Sequence, residues 1–366
     1  MRRSPKTLHT VLTGMVATAI ASVGVLTAGA GAANAAGSHA HGSSAVNKIP
    51  AHVYAPYFEA YNGDQPATLA KASGAKYLTM AFIQTAVTGS CTAYWNGDPT
   101  QPLTSATFGS SIAALQRTGG NIIPSFGGYS ADTTTTDIAD SCTDVDAIAK
   151  VYENVLTTYH TNRIDLDVEA DALANTAGID RRNQAIRKVE QWGERTGHSV
   201  SFSYTLPVTT TGLGATGVAL LQNAQQEHAR VDVVNAMTFD YYDGTVHEMA
   251  TNAETAATGV EAQLAAIHPH TSAAKLWSGI GITLMPGIDD FGAAETTTLA
   301  DTATVKAWAT RHNLASLSIW ALQRDNGGCV GTVGAGTCSG IAQSTWAVSH
   351  ILEPFTSKHR SPFQGR

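Results

Sequence analysis

The chain has 366 residues, 43% of them hydrophobic and 14% charged, with a formal net charge of −7. An acidic chain whose few Lys and Arg form no cluster lacks the electrostatic footprint of a nucleic-acid binder, so nucleic acid is excluded as a partner. The scarcity of charge also means that Ser, Thr, Asn, Gly and Ala must make up much of the surface.

The first segment is a leader. Met1-Arg2-Arg3-Ser4-Pro5-Lys6 is basic, Val11 to Ala30 is apolar and rich in small residues, and Ala33-Asn34-Ala35 is an A-x-A cleavage signal. Together they predict a signal peptide over residues 1–35 and a secreted, extracellular protein. Residues 36–50 read as a flexible N-terminal segment in which His39 and His41 belong to a solvated tail rather than a metal site. No later segment is long and apolar enough to span a bilayer, so no membrane role is expected.

From His52 onward, short apolar, β-branched or aromatic runs alternate with helical patterns. Strands are expected at 52–58, 76–83, 121–127, 163–169, 199–206, 233–239, 276–284 and 316–322. Helices are expected at 67–74, 110–119, 145–160, 178–197, 214–229, 255–268 and 299–313, with a further one at 345–352. Alternation of this kind implies a parallel sheet, and eight repeats is the count of a closed (β/α)₈ TIM barrel, an α/β fold spanning residues 51–353. A doubly wound open sheet is the competing architecture, but the first strand leads into "YAPYFEAYNGD", which is no Gly-rich phosphate turn. Residues 354–366 read as a disordered tail.

Four cysteines allow three pairings. Export favours disulfides. Cys329 and Cys338 flank the Gly-rich loop "CVGTVGAGTC" and are the local pair, which leaves Cys91 with Cys142.

The fourth expected strand, "RIDLDVE", alternates Ile164, Leu166 and Val168 with Asp165, Asp167 and Glu169. Alternate side chains of a strand share a face, so three carboxylates stack about 6–7 Å apart. In a barrel they climb the interior and emerge at the C-terminal face, where barrels carry their chemistry. Neighbouring acids in a poorly solvated row raise one another's affinity for protons, which suits a general acid. A calcium loop of this spacing needs a Gly and a Glu where Ala170 and Thr176 stand, and a solvated edge strand conflicts with the count of eight.

At these residues the sequence resembles glycoside hydrolase family 18, the chitinases and their relatives, whose signature is D-G-x-D-x-D-x-E. "SFGG" at 125–128 matches that family's S-x-G-G, "MTFD" at 237–240 its M-x-[YF]-[DN], and Trp320 in "SIWAL" its eighth-strand tryptophan. The four signals run in the family's order over residues 52–325, and the absence of a large insert before the eighth strand resembles the compact bacterial type.

The resemblance implies a retaining hydrolase of β-1,4-linked N-acetylglucosamine polymers in which the sugar's 2-acetamido oxygen is the nucleophile. It implies Glu169 as the acid, Asp167 as its hydrogen-bonded neighbour and holder of the acetamido N–H, and Asp165 as the group that shapes protonation of Asp167. Asp240 would bind the acetamido group and the developing positive charge, with Trp320 as the apolar floor. Met237, Phe239, Tyr241, Tyr242 and Tyr57 would line the cleft, Ser125 would reach Asp165, and Gly127 and Gly128 would allow a close backbone approach. Chitin or chito-oligosaccharides are the implied partner, acting on a monomer without metal or cofactor. The alternatives are an endo-β-N-acetylglucosaminidase and a chitin-binding lectin-like protein, although lectin-like relatives typically lose the terminal Glu.

Four positions depart from the pattern. Asn162 and Arg163 replace the first Asp-Gly, and Val168 a frequent Trp. Phe239 stands where many relatives have Tyr, which leaves two alternatives: a hydroxyl for the acetamido oxygen from Tyr241, Tyr242 or Tyr204, or slower turnover.

Overall fold

The computed structural model describes residues 47–357. The expected leader and most of the lead-in lie outside these residues, as do 358–366. Thirteen strands occur in chain order: β1 (Val53–Tyr54), β2 (Tyr57–Glu59), β3 (Tyr77–Thr85), β4 (Ala93–Trp95), β5 (Asn121–Gly127), β6 (Arg163–Asp167), β7 (Ser201–Thr209), β8 (Gly212–Leu213), β9 (Val233–Met237), β10 (Ile280–Leu284), β11 (Gly287–Asp289), β12 (Gly292–Thr297) and β13 (Ser316–Ile319).

The principal sheet runs β1-β13-β10-β9-β7-β6-β5-β3-β2, and every neighbour pair along it is parallel. The expected first strand is split at Ala55-Pro56, where proline offers no N–H to a ladder. Its lower half pairs Val53 with Ser316 and its upper half pairs Tyr57 with Thr79, so β1 and β2 together form one stave that joins both ends of the sheet. The result is the eight-staved (β/α)₈ barrel, with β6 as the fourth stave.

Lateral register sorts the side chains. Ser125, Asp165 and Ser203 stand side by side, as do Asp167, Thr205 and Asn235. The lumen at this level is polar: Asn235 Nδ2 donates to Thr205 Oγ1 at 3.0 Å and to Thr283 Oγ1 at 2.7 Å. Ile164, Leu166 and Val168 point the other way and are completely buried in the main apolar cluster. That cluster lies between the staves and the helices, where Tyr152 and Val155 of helix Val145–Thr158 and Ile186 and Val189 of helix Thr176–Thr196 close over the sheet. Apolar burial at about 25 cal/mol per Å² thus drives the outer layer, leaving the lumen free to hold acids.

Several boundaries differ from the sequence reading. The expected strand 276–284 begins only at Ile280, because Ala273–Trp277 is a short helix capped by Ser272. Its Trp277 ring packs against Trp308 at 5.4 Å and His312 at 4.6 Å. The expected helix 255–268 starts earlier, at Met249, where the Glu248 side chain caps the Thr251 amide. Pro354–Ser357, assigned to the tail, is a short helix with Phe355 buried, and Thr356 Oγ1 accepts from the Tyr54 amide at 2.9 Å. At the other end Ile49 is buried and its amide donates to Asn162 Oδ1 at 2.8 Å, so the lead-in is already docked at that point. Both disulfides form as read, Cys91–Cys142 and Cys329–Cys338, with Cα separations of 4.7 and 5.9 Å.

Candidate active site

A cavity of about 790 Å³ opens where the staves end, and Asp167, Glu169, Asp240 and Trp320 all line it. The acid row sits as the alternation requires. Asp165 is the lowest member, buried beneath the cavity rather than lining it. Its carboxylate accepts from four hydroxyls: Ser203 at 2.6 Å, Ser125 at 2.7 Å, Tyr57 at 2.8 Å and Thr205 at 2.9 Å. Burial raises its affinity for protons and those donors lower it.

Asp167, one step higher, has no such shell. Its Oδ1 is buried without a hydrogen-bond partner among the described residues, and the expected bond to Glu169 is not formed. Burial, then the charges of Glu169 and Asp165, push its pKa well above the usual carboxylate range. Glu169 lies just past the strand in extended conformation (φ −132°, ψ −177°), half-buried at the cavity wall. Burial raises its pKa to about 7; the Tyr129 amide lowers it and Asp240 raises it. A carboxyl poised there is protonated often enough to donate and ionised often enough to take the proton back.

Glycine is required beside this row. Gly127 has φ of 94°, and a Cβ there would collide with the Asp167 carbonyl oxygen, while the Gly128 amide donates to that same oxygen at 2.9 Å. A Cβ on Gly128 would meet the Phe82 ring at 2.6 Å. Phe82 stacks on Trp320 with centroids 5.5 Å apart and planes 19° apart, and Tyr57 meets Trp320 edge-on at 5.5 Å. These three rings make an apolar floor. Met237, Phe239, Met249 and Met285 cluster against Trp320 and extend this apolar surface toward β9.

Asp240 follows β9 with φ of 52°. Burial, then the Asp290 charge, raises its pKa to about 7, although the Asp290 amide bond lowers it. Tyr242 lines the cavity and is largely exposed. Tyr241 is not part of the lining. Its ring packs on His247 at 4.9 Å and its hydroxyl is buried without a partner among the described residues. Tyr204 Oη donates to Asn183 at 2.6 Å on the outside of the barrel, so it supplies nothing to the cavity. Of the three tyrosines weighed as substitutes for a hydroxyl at Phe239, only Tyr242 reaches the site. Ser125 reaches it only through Asp165.

Sequence reading missed several lining residues: Phe82, Gln84, Asn96, Tyr129, Thr205 and Asp290. Phe82 lies inside a run read only as a strand, and Gln84 just past its expected end, in the part by which the strand outruns the reading. Tyr129 sits immediately after "SFGG", the one position where a motif could have pointed to it. Also unforeseen is Asp132, whose Oδ2 accepts from the Glu169 amide at 2.5 Å. Burial, then the charge of Asp137, raises the pKa of Asp132 to about 9. Behind it Arg182 is fully buried and pairs with Asp137 at 2.8 Å and Asp140 at 3.6 Å. Among the described residues no three His, Cys, Asp or Glu side chains converge so that they could hold a metal ion.

A parallel barrel with a carboxyl of raised pKa just past the end of its fourth stave, a buried acid beneath it and an aromatic floor is the architecture of a glycoside hydrolase. The model of glycosyl hydrolases family 18 matches residues 53–285, and the chain belongs to that family. It is 30% identical over 322 residues to the probable bifunctional chitinase/lysozyme of Escherichia coli, covering 84% of this chain and 35% of that protein. It is 31% identical over 288 residues to endochitinase 11 of Metarhizium anisopliae, covering 75% of this chain and 53% of that one. The chain therefore spans about a third and about half of these two relatives. Among solved structures, active domain 2 of the thermostable chitinase from Pyrococcus furiosus, complexed with chito-oligosaccharides, superposes with a TM-score of 0.73 at 31% identity. That match covers 85% of this chain and 97% of the domain.

Proposed function

We propose that the chain is a secreted chitinase that hydrolyses β-1,4-linked N-acetylglucosamine polymers, with the substrate's own 2-acetamido group as nucleophile. The observation that carries this is Asp167. It lines the cavity one step below the donor, and a buried carboxylate oxygen there has no partner among the described residues. An orphaned buried acceptor costs about 1–3 kcal/mol and is tolerated where a ligand completes it. An acetamido N–H is such a ligand.

Glu169 protonates the glycosidic oxygen as the bond from it to C1 breaks. The acetamido carbonyl oxygen attacks C1 from the opposite face and forms a cyclic oxazolinium. Asp167 accepts the N–H through its unpartnered Oδ1 and aligns the attack, and its ionised form, disfavoured in the empty site, is favoured as the positive charge develops beside it and steadies the cation. Asp240 faces the same group from the β9 side. The stacked Trp320 and Phe82 receive the ring and methyl. Water then attacks C1, Glu169 takes its proton, and the β anomer is restored. The leader at 1–35 and the two disulfides support secretion.

The test is the anomer first released from a chitin hexamer, followed by NMR. A β product is expected, and an α product would end the reading. Equal rates on a polymer without the N-acetyl arm would do the same. Preference for a high-mannose glycopeptide over chitin oligomers would indicate an endo-β-N-acetylglucosaminidase, and chitin binding without turnover a lectin.

A further inference from the structure

The connection leaving β10 folds back as the antiparallel hairpin β11–β12, and none of its side chains has a part in the steps above. Two of its acids, Asp289 and Glu295, are completely buried. Both turn their carboxylates to the backbone that follows β9. The Asp240 amide donates to Asp289 Oδ2 at 3.2 Å. The Tyr241 and Tyr242 amides donate to the two oxygens of Glu295 at 2.8 and 3.2 Å. The contact is returned by the Asp290 amide, which donates to Asp240 Oδ1 at 3.1 Å.

The segment so held is one that needs holding. Asp240 and Tyr242 both have φ of 52°, a left-handed conformation that non-glycine residues keep only where their surroundings impose it. Three successive amides, those of Asp240, Tyr241 and Tyr242, donate to these buried carboxyl oxygens, and an ionised carboxylate accepts roughly twice as strongly as a neutral acceptor. The hairpin is itself anchored: Arg324 is fully buried, its Nε donates to the Pro286 carbonyl at 2.9 Å, and its two terminal nitrogens reach the carbonyls of Ile288 and Ala335.

We propose that Glu295 and Asp289 are positioning residues, a buried carboxyl clamp that fixes the Asp240 carboxylate and the Tyr242 ring at the places where they meet the sugar's 2-acetamido group. The inference deepens the chitinase reading and rests on it. Strain in the 240–242 turn keeps both side chains aimed at the cavity, and the clamp is what sustains that strain.

The test compares full-length Glu295→Gln and Asp289→Asn with the wild type in two readouts, hydrolysis of a chromogenic chitobioside and amide hydrogen exchange of the peptide spanning 238–245. The Gln amide nitrogen cannot accept a hydrogen bond, so one amide of the pair 241 and 242 loses its partner. Both variants are expected to lose about fivefold or more in kcat with KM changed far less. Exchange at 240–242 should quicken by about tenfold or more. Turnover close to wild type in both variants overturns the clamp, even if exchange quickens, because the acids would then be scaffolding alone. Should Glu295→Gln fail to fold, Asp289→Asn carries the same readouts. A wild type inert toward the chitobioside would sink the chitinase reading instead, and exchange unchanged from wild type would then overturn the clamp by itself.

Discussion

The two acid-bearing walls of the cavity are built by opposite means. On the β6 wall, Asp165, Asp167 and Glu169 come from one five-residue stretch, and the pleat of a single strand aligns them. On the β9 wall, Asp240 meets Asp289 across 49 positions of chain and Tyr241 meets Glu295 across 54, through a hairpin and a strained turn. The β6 wall is rigid because its neighbours are staves, with four hydroxyls fixing its lowest acid. The β9 wall is rigid only as far as its buried carboxyls keep their amides. Strand periodicity thus delivers Glu169, the proposed proton donor, while long-range contacts place Asp240 on the other wall.

Substitutions should expose this difference. The largest effect is expected from Glu169→Gln, which keeps shape but removes the donor. Turnover of a chitobioside should fall by about 10²–10⁴-fold with the thermal midpoint nearly unchanged. Near-normal activity would mean the β6 wall is not the acid. Next comes Asp167→Asn, with a loss of about a hundredfold as the acetamide loses its charged partner. Asp240→Asn should cost less, because Asp240 supports the group from a wall that Asp290 and Tyr242 also form. Measured kcat for both variants decides whether the walls rank in that order.

The pH dependence sharpens the same contrast. Burial first, and neighbouring acids second, raise Glu169 and Asp240 to about 7, Asp289 to about 8 and Asp132 to about 9. Donation needs Glu169 protonated, so activity should decline as pH rises through about 7. The sign for stability is the same. Groups that bind protons more tightly folded than unfolded stabilise at low pH, and that contribution is lost as pH rises from about 4 through about 9. Calorimetry should give a higher thermal midpoint at pH 5 than at pH 9; a higher midpoint at pH 9 would show that these acids are not held as described.

The smallest effects on turnover should come from the disulfides, whose loss is expected to act chiefly on stability. Cys142 follows the short helix that carries Asp140, while the Cys329–Cys338 loop contains Ala335, to which Arg324 is tied. On loop length alone, opening the 51-residue separation costs roughly 4 kcal/mol and the 9-residue one roughly 2.5 kcal/mol. Paired Cys→Ser variants in denaturant would show whether the order holds. The second pair should affect KM or kcat more than its stability cost implies, since it braces the hairpin side.

The legibility of the site in sequence follows the same division. The staves and the acid row are readable because their signal is local, alternation with period two, whereas Trp320 is an aromatic at a strand end that only the family resemblance singles out. The Ala273–Trp277 helix was misread because Leu276 and Trp277 suit a strand equally well, and only the packing of Trp277 on Trp308 and His312 decides the matter. Tyr241 was placed in the cleft because it adjoins Asp240, but the left-handed residues on either side of it rotate its ring onto His247. Phe82, Asp132 and Glu295 left no pattern at all. Each acquires its place from a partner far along the chain: Trp320, the Glu169 amide, and the Tyr241 and Tyr242 amides.

The docking of Thr356 on the Tyr54 amide bears on how the protein comes apart. The first stave and the last described helix are stitched together 302 positions apart, and Tyr54 Oη meets Ser349 Oγ at 3.0 Å in the same seam. Neither end can fray without releasing the other, and the stave that joins the sheet's two edges is the one at stake. Loosening by heat or protease should therefore begin elsewhere, in the loops that rim the cavity.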